Sequence, residues 1–176
     1  MMQEFVQEMN NYVKRAIQGI HTAMPGTILS FDPATCRATV QPGMKFKKPD
    51  GTTMDYPQIS GVPVAVSQGS GNNAAVAFPI KAGDGCILII GEQSLDYWMY
   101  GQETDTDLAF DLTNAMCIPG LSAAGSPAMA QACAENCVVM TSGGTTVKLK
   151  DSAVEIDAPD VQIKGNLVVQ GSLTHG

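Results

Sequence analysis

A seven-residue beat near the C-terminus limits what this chain can fold into more than any other feature. From Thr145 onward apolar pairs return at fixed spacing: Val147 and Leu149, Val154 and Ile156, Val161 and Ile163, then Val168. Lys148, Glu155 and Gln162 sit inside the pairs, so each triplet alternates apolar, polar, apolar. That is the period of a very short strand with one face buried. The links are turn formers: Asp151-Ser152-Ala153, Asp157-Ala158-Pro159-Asp160, Lys164-Gly165-Asn166 and Gly171-Ser172.

A short fixed repeat of this kind signals a β-helical stack, in which no single repeat buries its own face. Seven such side chains, fully buried, contribute roughly 10–20 kcal/mol before chain entropy is subtracted. One copy has nothing to lay against the row. Three chains wound about one axis would bring every inward face against two copies of itself and pair the strand edges as well. The simpler alternative is an antiparallel hairpin stack in a monomer, but the links are too short and regular for an ordinary sandwich. The expected trimer core is Val147, Leu149, Val154, Ile156, Val161, Ile163, Val168 and Leu173.

Composition narrows the function classes. The chain has 176 residues and a net charge of −7, and a trimer would carry three times that charge, which opposes a nucleic-acid partner. Apolar content of 44% supports a real core, while aromatics are sparse at 6%. The first twenty residues include Glu4 and Glu8 and lack the apolar run of a signal peptide. No stretch has the length and apolarity of a transmembrane helix. The cysteines, Cys36, Cys86, Cys117, Cys133 and Cys137, are scattered and odd in number, which reads as reduced thiols in a protein assembled in the cytoplasm.

Taken in order, residues 1–21 form an N-terminal amphipathic helix. Met2, Phe5, Met9, Val13, Ala16, Ile17 and Ile20 make its apolar stripe, and Pro25-Gly26 lies beyond its end. Such a helix either packs on its own domain or clamps a partner. Residues 22–120 read as strands: a hairpin over Thr27–Phe31 and Cys36–Val40 across Asp32-Pro33-Ala34-Thr35, then Val62–Val66 and Ala74–Phe78. Pro63 favours an edge or bulge. Cys86–Ile90, the most apolar run, is expected at the sheet centre. Ala115–Gly120 closes the set. Five strands broken by long loops suit a small Greek-key barrel of OB type, with an SH3-like barrel close behind. Residues 121–140 form a linker in which Ser126-Pro127 caps a short helix. Residues 141–176 carry the repeat and its apex.

Material for catalysis is thin, and the chain is not expected to be an enzyme. Gly120-Leu121-Ser122-Ala123-Ala124-Gly125 is not a nucleophile elbow, and the glycines of Gln68–Asn73 precede no Lys-Ser/Thr. Cys36 or Cys117 with His21 lacks an orienting group. Glu103, Asp105, Asp107 and Asp111 miss EF-hand spacing and read as a solvated acidic loop. His175 is the exception. It follows Val168 by seven and shares a strand face with Leu173, so three copies would converge on a trimer axis as a metal site or a water-bonded cap. A frayed terminus is the plain alternative.

The chain resembles the central spike, or tail-puncture, proteins of contractile-tailed phages. The resemblance lies in the order of parts and in several stretches. These are Pro25-Gly26-Thr27-Ile28-Leu29-Ser30-Phe31-Asp32, Gly61-Val62-Pro63-Val64, Phe78-Pro79-Ile80 with Gly83-Asp84-Gly85, Ser94-Leu95-Asp96-Tyr97-Trp98 and Ile118-Pro119-Gly120-Leu121. It implies an OB-fold domain, then a trimeric β-helix with a pointed apex, in a virion protein of the tail baseplate. It implies docking on tail hub proteins and passage through the host outer membrane when the sheath contracts. Phe5, Met9, Val13 and Ile17 would be the hub-docking residues. Such spikes often bind iron at the apex through a His-x-His pair from each chain. Here the chain ends Leu173-Thr174-His175-Gly176, so that six-nitrogen set is excluded, and a separate tip protein could extend the needle. The rival from another class is a carbohydrate- or receptor-binding barrel using Tyr56, Tyr97, Trp98 and Tyr100.

Overall fold

The computed structural model describes residues 2–48, 50–102 and 108–174. Of the candidates above, His175 and the acidic Glu103, Asp105 and Asp107 lie outside the described residues. The chain divides into two compact units, Met1–Ala123 and Ala124–Gly176.

In the first unit, helix α1 (Met2–Gln18) is followed by strands β1 (Ala23–Asp32) and β2 (Arg37–Pro42). A small hairpin, β3 (Lys45–Lys47) with β4 (Thr53–Asp55), precedes β5 (Ile59–Pro63). A second hairpin pairs β6 (Ser67–Gly69) with β7 (Ala74–Val76), and β8 (Gly85–Ile90) follows. The unit ends with a short helix α2 (Asp96–Tyr100), a single 3₁₀ turn (Leu112–Asn114) and β9 (Ala115–Pro119).

The main sheet runs β5-β2-β1-β8-β9, antiparallel throughout. It curls into a half-barrel, and the reasons are local. β1 is long enough to serve two partners, pairing β8 through Ala23–Thr27 and β2 through Gly26–Asp32. A register shift between Ile28 and Ser30 adds a residue to β1, and a second shift bends β2 against β5 at Gly61, whose φ of +71° suits glycine. The two edges meet where Val64 bridges Cys117 in parallel and the Ala65 N–H donates to the Cys117 carbonyl at 2.8 Å. Pro63 ends an edge strand, where its missing N–H costs no ladder bond.

Alternation fills the inside. Met24, Ile28, Ala38, Val40, Ile59, Val62, Val64, Cys86, Leu88, Ile90, Ala115 and Cys117 form the core. Gly26 sits where β1 pairs with β2 and β8 at once, and a Cβ there would meet Val40 at 2.7 Å and Cys86 at 3.2 Å. The β1–β2 turn is held by Asp32, which accepts from the Ala34 N–H at 3.0 Å and the Thr35 hydroxyl at 2.7 Å. These bonds hold its carboxyl below the usual range, the Thr35 bond most of all.

One expectation is corrected. The central strand is β1, with β8 beside it. β8 reads as the most apolar run because its outward residues are apolar too: Ile87 lies opposite Ile118, and Ile89 opposite Met116, on the outer face. Ile89 and Ile118 remain exposed there.

In the second unit, α3 (Pro127–Glu135) is followed by β10 (Val138–Ser142), β11 (Thr145–Leu149) and β12 (Val154–Asp157), an antiparallel meander. Ser126 caps α3, its hydroxyl accepting from the Met129 N–H at 3.3 Å, with Pro127 at the first turn. A β-helix is not what the single chain shows. The first two apolar pairs lie on paired strands, whereas Val161, Ile163 and Val168 lie in 158–174, which forms no strand among the described residues. Within this chain the strands of the first two pairs find hairpin partners, and the later pairs find none among the described residues.

Candidate functional site

The meander sorts its residues by face. Residues directly opposite across antiparallel strands share a face, and the register sets Val138 opposite Leu149 opposite Val154, and Met140 opposite Val147 opposite Ile156. One face is therefore wholly apolar at these six positions. The other carries Val139, Lys148 and Glu155 in one row and Thr141, Thr146 and Asp157 in the next.

The helix is tied to the polar side. Lys148 Nζ donates to Glu135 at 2.7 and 2.9 Å, and Lys150 Nζ lies 3.6 Å from Glu135 and 2.7 Å from Glu155. Glu135 also accepts from Gln131 at 2.9 Å. Lys148 first, then Gln131, holds the Glu135 carboxyl below the ordinary range, and Glu155 raises the Lys150 ammonium above its own. The charged face is thus internally satisfied, and the apolar face is left uncovered. Val154 is 64% exposed and Ile156 55%. No described residue of 124–174 is buried.

The row continues beyond the sheet. Val161, Ile163, Val168 and Leu173 are exposed, Val168 to 80%. Among the described residues, 158–174 forms no backbone–backbone hydrogen bond. An alternating apolar segment whose N–H and C=O groups find no backbone partner among the described residues is open to strand pairing. The eight expected core residues therefore share two properties in the single chain. They are apolar, and none is buried.

The other sequence candidates fall elsewhere. Phe5, Met9, Val13 and Ile17 lie along α1, where every described side chain is exposed. Tyr97, Trp98 and Tyr100 stand exposed on α2, with the Arg37 guanidinium 5.5 Å from the Tyr100 ring centre. Tyr56 lies apart from them, edge-on to His21 at 5.5 Å and to Phe46 at 6.3 Å. Cys36 donates to the Val64 carbonyl at 3.6 Å, at the barrel's seam. Cys86 and Cys117 face one another in the core, where their mutual bond and burial push the Cys117 thiol far above the ordinary range. Asp111 caps the 3₁₀ turn, accepting from the Thr113 N–H at 2.8 Å and its hydroxyl at 2.5 Å. No group of three or more His, Cys, Asp or Glu side chains that could hold a metal ion is found among the described residues. No helix among them is long and apolar enough to cross a membrane.

Sequence reasoning did not foresee Val138 and Met140 as part of the apolar face. They precede the seven-residue repeat and carry no repeat signal, although their own alternation with Val139 and Thr141 is visible.

A curled half-barrel followed by a three-stranded meander with one exposed apolar face defines a modular, mainly β protein. Residues 24–120, more than half of the chain, match the family described as phage protein Gp138 N-terminal domain, and the chain belongs to that family. No curated protein matches it. The matched span covers the half-barrel, from Met24 in β1 to the residue after β9.

Proposed function

We propose that this chain is a structural virion protein: the trimeric central spike of a contractile phage tail baseplate. The observation that carries the reading is the apolar row from Val147, half-buried, through Leu149 to Leu173, exposed, whose last part lacks backbone partners among the described residues. Three copies would lay these faces together about one axis and satisfy the open strand edges between chains. Interchain ladders give a stiff shaft with few free edges, which is what a load along its axis demands. The half-barrel supplies the adaptor. Its strand order, with a parallel contact between the third and fifth main strands, fits the closure of an OB-type barrel. Three such barrels form a collar that meets the tail hub. The shaft then pierces the host outer membrane when the sheath contracts, with the protein acting by shape and stiffness rather than catalysis.

Family membership supports a phage role, and the tail-tip position is the step to test. Gold-labelled antibody against residues 141–174 on intact particles should mark one site per virion, on the tail axis at the distal tip. Label on peripheral fibres or along the sheath would contradict the proposal. One observation favours a second reading, a glycan-binding barrel: the exposed Tyr97, Trp98 and Tyr100 beside Arg37. Glycan binding abolished by Trp98→Ala would support it.

A further inference from the structure

Helix α1 presents apolar surface with no cover. Val6, Met9, Val13, Ala16 and Ile20 follow one another at spacings of three and four, the repeat that lets helices wind around each other. All five are exposed, Val13 to 48%. Phe5 and Tyr12 on one flank and Ile17 on the other widen the stripe beyond a narrow two-helix seam. The Gly19 and Ile20 N–H groups donate to the Ala16 and Ile17 carbonyls, carrying the turn on to Ile20.

Charge decides the partner. Glu4, Glu8, Lys14 and Arg15 all fall outside the seam and outside the positions that flank it. In a rotationally symmetric contact each seam residue meets its own copy, so a charge there would repel itself. A docking face for a different protein carries no such restriction. Two acids and two bases also leave the helix without net side-chain charge, so parallel copies do not repel one another. An isolated helix of this length is marginal in water, and its apolar face requires cover.

We infer that three copies of α1 wind into a parallel coiled coil, with Val6, Met9, Val13, Ala16 and Ile20 in its core. The occupant of the stripe is a further copy of this chain, which leaves hub contact to the barrels. The inference rests on the trimeric reading above.

The test uses the full chain with a benzophenone side chain in place of Met9, in the seam, or of Asn11, on the outer face. Isotopically mixed copies identify interchain cross-links by mass. Position 9 should cross-link to residues 5–13 of another copy at least roughly tenfold more than position 11 does. A trimer by native mass whose position-9 links run to the barrel, or match those from position 11, overturns this inference alone. A monomer by native mass overturns it together with the trimeric reading.

Discussion

The half-barrel and the C-terminal unit use the same alternation of apolar and polar residues and reach opposite results. In the half-barrel, register shifts curl the sheet until one face closes on itself, and Ile28, Val40, Leu88 and Cys117 lose all contact with solvent. In the C-terminal unit the meander is too narrow to curl. Its helix is tied to the charged face, and Val154, Ile156 and the residues after them stay in water. Alternation specifies which face seeks cover. Whether one chain can provide it depends on how many strands are available to bend around that face.

Substitutions in the two regions should therefore act on different equilibria. The largest effect is expected from Val161→Asp with Ile163→Asp. These would place carboxylates from every copy at the shared axis, at a cost of several kcal/mol per buried ion. The trimer should dissociate, with loss of at least about 5 kcal/mol of assembly free energy, while hydrogen exchange in β1 and β8 stays unchanged. Loss of the barrel's protection in this variant would break the comparison.

Leu88→Ala should act in the reverse sense. Removing a fully buried leucine costs about 2–5 kcal/mol, read as a lower urea midpoint for the barrel with the native mass unaltered. Gly85→Ala sharpens the same point more gently. An added Cβ would strike the Leu121 carbonyl oxygen, and overpacking of this kind costs about 1–3 kcal/mol. Its effect should appear in β8 and β9 protection and leave the repeat alone.

The smallest effect concerns pH. Glu135 has a folded pKa below its ordinary 4.5, chiefly because it accepts from Lys148. The unfolded chain therefore binds its proton first as pH falls, so the contribution is fully present above pH 4.5 and fades as pH drops through the folded value. Amide protection in α3 should weaken over that acid range and become flat with pH in Glu135→Gln. Protection in the half-barrel should not follow the same curve through this residue.

Much of the half-barrel was legible in the residues. The Thr27–Val40 hairpin, the turn at Asp32 and the edge position of Pro63 all have local causes, and the structure places them accordingly. The Ser126-Pro127 cap was legible for the same reason. Apolarity alone points to β8 as the central strand, because it measures how many faces are apolar, whereas centrality depends on how many partners a strand's length can serve. Ile87 and Ile89 made β8 look central, and the length of β1 made it so. In the C-terminal unit the seven-residue spacing showed which residues belong together. It could not show that the first two pairs would sit on a meander within one chain, because Val138 and Met140, which complete that face, lie outside the repeat.

The central claim is that the Val147-to-Leu173 row is covered by other copies of the same chain. Native mass spectrometry of the purified full-length protein tests it most directly. The account predicts a single species at three times the 18.5 kDa of one chain, stable to dilution. A species at the mass of one chain would leave the row facing solvent and would contradict the shared axis, the shaft and the piercing mechanism together.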